Sequence, residues 1–136
     1  MSDLKQQFPA GVLTGDAVQA LFAVAKEKQF ALPAVNCIGT ETVNGVMEAA
    51  RDVNSPVIIQ TSTGGSAFYA GKGLKNDGMR ASIAGAASLA EHVHHMAPLY
   101  DARVILHTDH CPRKALPWLD GLLEAGEAFY KVHGVP

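Results

Sequence analysis

The run Val104-Ile105-Leu106-His107-Thr108-Asp109-His110 passes from apolar to ionisable side chains within a few residues. Its first half reads as a buried strand, and its end carries an acid beside an imidazole. Asp109 is a candidate proton donor and His110 a candidate metal ligand. A buried strand gains nothing from such an ending unless it opens onto a polar or catalytic site. Two earlier strand-like runs close in the same way, residues 31–36 on Asn36 and residues 56–62 on Ser62. Three apolar runs with polar tips point to one site built from the carboxyl ends of neighbouring parallel strands, and so to an enzyme.

The other chemistry-bearing residues make weaker cases. His92, His94 and His95 fall on a helix predicted over about residues 80–97, where they point in different directions and cannot easily share one ion. His94 lies beside the apolar stripe at the core edge, and His92 and His95 read as solvated. His107 reads as a hydrogen-bonded core histidine, and His133 has no partner in view. A catalytic zinc takes about three protein ligands and an open position, and the sequence offers no second or third ligand beside His110. Asp109 taken alone reads equally well as a helix cap or loop anchor. Cys37 and Cys111 form no C-x-x-C motif and read as reduced thiols.

Phosphate loops fail on spacing. Gly71 and Gly73 are followed by Asn76 where a dinucleotide fingerprint needs its third glycine. A P-loop needs glycine where Ser66 stands and Ser or Thr where Gly73 stands. What remains for these glycines is backbone contact with a substrate phosphate, or a plain flexible loop.

The elements that must position these groups alternate. Residues 1–13 carry little pattern and read as a surface lead-in. Thr14 reads as the N-cap of a helix over about 15–29, and Thr40 as the cap of a second, striped by Val43, Val46, Met47 and Ala50. Pro56 opens the second strand. Residues 63–79 are too glycine-rich for a regular element. The third strand covers about 103–108, and Pro117 suits the first turn of a last helix. Helix, then strand and helix three times over, implies an α/β fold with a parallel sheet.

At 136 residues, 48% hydrophobic and 18% charged, the chain is one globular domain. A net charge of -2 gives no electrostatic case for nucleic acid or an anionic membrane. No apolar run approaches the roughly 20 residues that cross a bilayer, and no signal-peptide layout is present, so the default is cytoplasmic. A three-stranded parallel sheet is small. With the last residues Gly134-Val135-Pro136 standing where a fourth strand is expected, a truncated sequence is anticipated.

Five segments carry a specific resemblance: Ala-Leu-Pro-Ala-Val-Asn-Cys (31–37), Pro-Val-Ile-Ile-Gln (56–60), Ala-Gly-Lys-Gly (70–73), His-Thr-Asp-His-Cys (107–111) and Leu-Pro-Trp-Leu-Asp-Gly-Leu-Leu (116–123). In order and spacing, from about Gly11 onward, they resemble the amino-terminal part of class II fructose-bisphosphate aldolase. The resemblance implies about three β/α units of a (β/α)8 TIM barrel, a zinc cofactor and reversible cleavage of fructose 1,6-bisphosphate. It implies zinc ligation by His110, proton transfer by Asp109 at the aldehyde-derived oxygen, binding of the glyceraldehyde phosphate part by Ser62 and substrate orientation by Asn36. It also implies a phosphorylated-sugar substrate and a homodimer of the full-length enzyme. The later histidines and glutamate of the family's zinc shell are absent from these residues. Two alternatives stand beside it: an aldolase for tagatose 1,6-bisphosphate, which shares the Asp-His pair, and a non-catalytic fragment. Neighbouring strand residues face opposite ways, so Asp109 and His110 share a site only if the backbone leaves strand geometry there.

Overall fold

The computed structural model describes the chain from Ser2 to Pro136. Helix α1 (Ser2–Gln7) leads into strand β1 (Gly11–Val12) and helix α2 (Asp16–Glu27). Strand β2 (Ala34–Asn36), helix α3 (Thr40–Asp52) and strand β3 (Val57–Thr61) follow. Next come helix α4 (Thr63–Ala70), a 3-10 turn (Asp77–Met79), helix α5 (Arg80–Met96) and strand β4 (Arg103–Thr108). A second 3-10 turn (Arg113–Ala115) opens helix α6 (Leu116–His133), with a proline in its first turn. All strand pairs are parallel, in the order β1-β4-β3-β2.

Each face of this sheet is covered, as parallel strands require. Val57, Ile59 and Val104 point to one face and pack with Val43 and Met47 of α3 and Leu89 and Val93 of α5. Ile58 and Ile105 point to the other, where Leu4, Phe8, Leu13 and Leu21 close over them. Burying any one of these side chains is worth about 1.5–3 kcal/mol.

The first thirteen residues are therefore not a surface lead-in. Leu4, Phe8 and Leu13 are buried, Lys5 Nζ pairs with Asp101 at 2.7 Å, and Arg103 Nε donates to the Phe8 carbonyl at 3.1 Å. Residues 63–70 are likewise a helix despite their glycines. Two cap expectations also shift by a residue. The first helical residue of α2 follows Gly15, not Thr14. At α3 the cap is Gly39, and Thr42 Oγ1 accepts from its N–H at 3.2 Å and donates to its carbonyl at 2.7 Å. Of the described residues, no helix is long and apolar enough to cross a membrane.

Candidate functional site

The site sits where the apolar cover of one sheet face stops. On that face the rung Ala34–Ile58–Ile105 is followed, two residues further along each strand, by the rung Asn36–Gln60–His107. Strand alternation sends these three side chains to the same side as Ile58 and Ile105, but beyond the reach of α1 and α2. Apolar residues pack below, and polar residues stand exposed or half-exposed above.

The polar rung is hydrogen-bonded across its width. His107 Nδ1 lies 2.8 Å from Gln60 Oε1, and Gln60 Nε2 donates to Asn36 Oδ1. His107 is thus hydrogen-bonded as expected, but it is not a core residue: the strand outruns its helical cover, leaving the imidazole exposed. Asp109 lies just past the strand end. Its N–H donates to the Thr61 carbonyl at 2.9 Å, the last pairing of β4 with β3, after which the backbone leaves strand geometry.

The Asp109 carboxylate accepts from the His110 N–H at 2.8 Å. That bond holds its pKa below the ordinary carboxylate value; partial burial opposes the shift, and the Asn36 side-chain amide and the nearby imidazoles of His110 and His107 add to it. Asp109 is therefore ionised at neutral pH, with 28% of its side chain exposed. The His110 side chain is 85% exposed, its Nε2 3.9 Å from Asp109 Oδ2. Acid and imidazole stand on one mouth.

Ser62 follows β3 at the same end of the sheet, and its hydroxyl accepts from the Gly65 N–H at 3.1 Å as the N-cap of α4. The structure thus brings Asn36, Asp109 and His110 together directly, with Ser62 on the adjoining strand end. Gln60 and His107 belong to the same cluster; Gln60 went unassigned in the sequence, and His107 was read only as a core histidine. Their signal was strand alternation counted back from Asp109, which puts His107 on its side of the sheet.

The remaining histidines lie elsewhere. His92 is half-buried rather than solvated, with Nε2 2.8 Å from Asn44 Oδ1, and burial lowers its pKa. His94 is half-buried at the core edge, its ring 4.8 Å from Phe129, whose other neighbour is His133 at 4.2 Å. His133 thus has a partner the sequence did not reveal. Lys72 Nζ lies 5.6 Å over the Phe68 ring. Both cysteines are free thiols, and burial raises the pKa of Cys37.

Among the described residues, no group of three His, Cys, Asp or Glu side chains is placed to hold a metal ion. The exposed imidazole of His110 fits a metal as one ligand of a shell completed by other residues, and nothing beside it supplies the rest.

A parallel sheet wrapped by helices, with ionisable groups at the carboxyl ends of its strands, defines an α/β fold of the β/α-barrel kind. The chain belongs to the class II fructose-bisphosphate aldolase family, whose pattern matches residues 16–134. It is 57% identical over 136 residues to the fructose-bisphosphate aldolase of Edwardsiella ictaluri, covering all of this chain and 38% of that protein. To the class 2 enzyme of Escherichia coli K12 it is 56% identical over 137 residues, covering 100% and 38%. A crystal structure of fructose-bisphosphate aldolase from Campylobacter jejuni superposes with a TM-score of 0.90 at 50% identity, over 96% of this chain and 37% of that one. The chain therefore spans little more than a third of the length of these relatives, as the amino-terminal β/α units of their barrel.

Proposed function

We propose that this chain supplies the proton-transfer group and one metal ligand of a class II aldolase that reversibly cleaves fructose 1,6-bisphosphate to dihydroxyacetone phosphate and glyceraldehyde 3-phosphate. The observation that carries this is the Asp109 carboxylate, which accepts from the His110 N–H at 2.8 Å beside an exposed imidazole. In the cleavage direction the Asp109 carboxylate takes the proton of the hydroxyl whose carbon becomes the aldehyde, while the carbon–carbon bond breaks and its electron pair stays on the ketone half. In condensation it returns that proton. Asn36 orients the substrate, and Ser62 with the amino end of α4 takes the glyceraldehyde phosphate.

Zinc held by His110, with further ligands from outside these 136 residues, would supply Lewis-acid polarisation of the ketone. No lysine Schiff base is needed, so nothing in this reading hangs on Lys72, Lys75 or Lys114.

The test is made in the complete enzyme. Asp109→Ala is expected to lower cleavage by about 100-fold or more with zinc content unchanged. His110→Ala is expected to lose zinc. Near-normal turnover after the first change removes Asp109 from the mechanism, and full zinc content after the second removes His110 from the shell. Comparing cleavage of the fructose and tagatose bisphosphates decides between the two epimers.

A further inference from the structure

We infer that Asn76 and Ser82 are positioning residues for the phosphate end of the site, acting through the Thr63 carbonyl on the turn that carries Ser62. The inference rests on the reading of Ser62 as the group that meets the glyceraldehyde phosphate, and it adds two residues which that reading does not use.

Three hydrogen bonds define the device. The Ser82 N–H donates to Asn76 Oδ1 at 3.0 Å, Asn76 Nδ2 donates to Ser82 Oγ at 3.0 Å, and Ser82 Oγ donates to the Thr63 carbonyl at 2.9 Å. Their direction is fixed by atoms that have one role each. A backbone N–H only donates, so the Asn76 atom facing it is the oxygen. The other end of that amide is then Nδ2, which only donates, so Ser82 Oγ accepts there. The hydroxyl proton is left for Thr63, whose carbonyl only accepts. Ser82 is 1% exposed, so water does not compete for that proton.

The chain accepts backbone strain to place Asn76 there. Gly78 and Met79 both lie in the left-handed region, at φ 59° and 66°, which is uncommon for a methionine. Met79 precedes α5 and gives it no side-chain cap. Asn76 reaches back across this reversal and supplies the acceptor that the third N–H of α5 lacks within its own helix. Capping uses only the oxygen of Asn76. The nitrogen end and the Ser82 hydroxyl do what a cap does not need, and reach out of α5 to α4.

Thr63 is the first residue of α4, directly after Ser62. Its carbonyl and the Gly64 N–H belong to one planar trans peptide, so a bond that holds the oxygen also aims the N–H the opposite way. That N–H lies in the first turn of α4, where no intrahelical acceptor exists. The Gly65 N–H, one residue on, is taken by Ser62 Oγ at 3.1 Å. The Ser82 bond thus sets the peptide beside the Ser62 hydroxyl, and loading its carbonyl strengthens its N–H as a donor to phosphate. Trp118 Nε1, donating to the Ser82 carbonyl at 3.2 Å, anchors the device from α6.

The experiment uses the zinc-loaded complete enzyme in the condensation direction, where the two phosphates arrive on separate molecules. Ser82→Ala is expected to raise KM for glyceraldehyde 3-phosphate about five- to tenfold, the worth of a single hydrogen bond. KM for dihydroxyacetone phosphate and zinc content are expected to stay at the wild-type values. Asn76→Asp asks the same question without opening the core. Its carboxylate keeps an acceptor for the Ser82 N–H, so the thermal midpoint is expected at or above that of wild type. Its second oxygen cannot donate and draws the hydroxyl proton away from Thr63. KM for glyceraldehyde 3-phosphate is therefore expected to rise as in Ser82→Ala.

The double variant separates this effect from plain repulsion between carboxylate and phosphate. With the hydroxyl gone, its KM is expected to match that of Ser82→Ala alone. Equal rises for the two trioses, a lowered thermal midpoint with unchanged KM, or a further rise in the double variant would each overturn the inference. Ser62→Ala, measured beside them, keeps the two readings apart. If it raises KM for glyceraldehyde 3-phosphate while the Ser82 and Asn76 variants do not, the inference fails alone. If it leaves that KM unchanged, the reading of Ser62 fails, and the inference with it.

Discussion

Ser62 carries two duties on one oxygen. Its hydroxyl accepts from the Gly65 N–H and so caps α4, and the same atom is the one proposed to meet a phosphate. Ser62→Ala is expected to cost about 1 kcal/mol of stability through the lost cap and also to raise KM for the bisphosphate. Ser62→Asp separates the duties, because a carboxylate restores the cap but repels a phosphate. Its urea midpoint should return toward wild type while its KM rises beyond that of the alanine variant. If KM instead recovers with stability, Ser62 is a cap only. At this scale the placement of Asp109 and His110 at a strand end was legible, because an apolar run that stops on an acid and an imidazole marks where a strand leaves the core. Gln60 and His107 were not, because their meaning lies in register with other strands, and a polar side chain inside a strand has bland uses too.

At the scale of elements, α4 and α5 meet backbone against backbone at Gly85. A Cβ on Gly85 would lie 1.8 Å from the Ser66 carbonyl oxygen and 3.0 Å from the Ala70 nitrogen, both backbone atoms that cannot turn aside. Gly85→Ala must therefore push α4 off α5, at about 3 kcal/mol, the upper end for overpacking. A Cβ on Gly121 would meet Ile83 Cδ1 at 2.3 Å, but that is the end of a rotatable side chain. Gly121→Ala is expected to cost about 1 kcal/mol or less. Denaturant midpoints that rank the two the other way would show that α4 yields more easily than an isoleucine rotamer. Since Ser62 rides on α4, Gly85→Ala should also weaken substrate binding.

The same packing explains why α4 escaped sequence reading. Thr-Gly-Gly-Ser has poor intrinsic helix propensity. The helix forms because Ser62 caps it, Ser66 Oγ donates to the Ser62 carbonyl at 2.8 Å, and Gly85 lets α5 close on it. The buried Ser82 Oγ bonds the Thr63 carbonyl at 2.9 Å, and Trp118 Nε1 donates to the Ser82 carbonyl at 3.2 Å, so α4, α5 and α6 are tied together. Strand β1 was hidden for a related reason: two residues carry no periodicity, and they are a strand only through pairing with Arg103 and Val104. By contrast β4 and α5 were legible almost to the residue, since an apolar run of strand length and a 3.6-residue stripe need no partner to be recognised.

Over the whole molecule the dominant feature is an unfilled side. Strand β1 covers only the start of β4, so Ile105–Thr108 present a bare edge there. Beside that edge lies a groove of about 970 Å³ walled by Leu13, Ile105, Ala90, Leu122 and Phe129. Along α6, Leu123 is 66% and Val132 77% exposed. A bare parallel edge next to apolar helix faces is a template for pairing with other chains. The 136-residue chain on its own is therefore expected to self-associate and to melt without a sharp transition. With no three candidate ligands gathered among the described residues, added zinc should restore no aldol cleavage. Sedimentation of the isolated chain, a thermal scan and a cleavage assay with zinc present check these points together. A monomer with one cooperative melt would mean that two covered sheet faces suffice without closure of the third side. Measurable cleavage would mean that Asp109 works with less metal coordination than about three protein ligands provide.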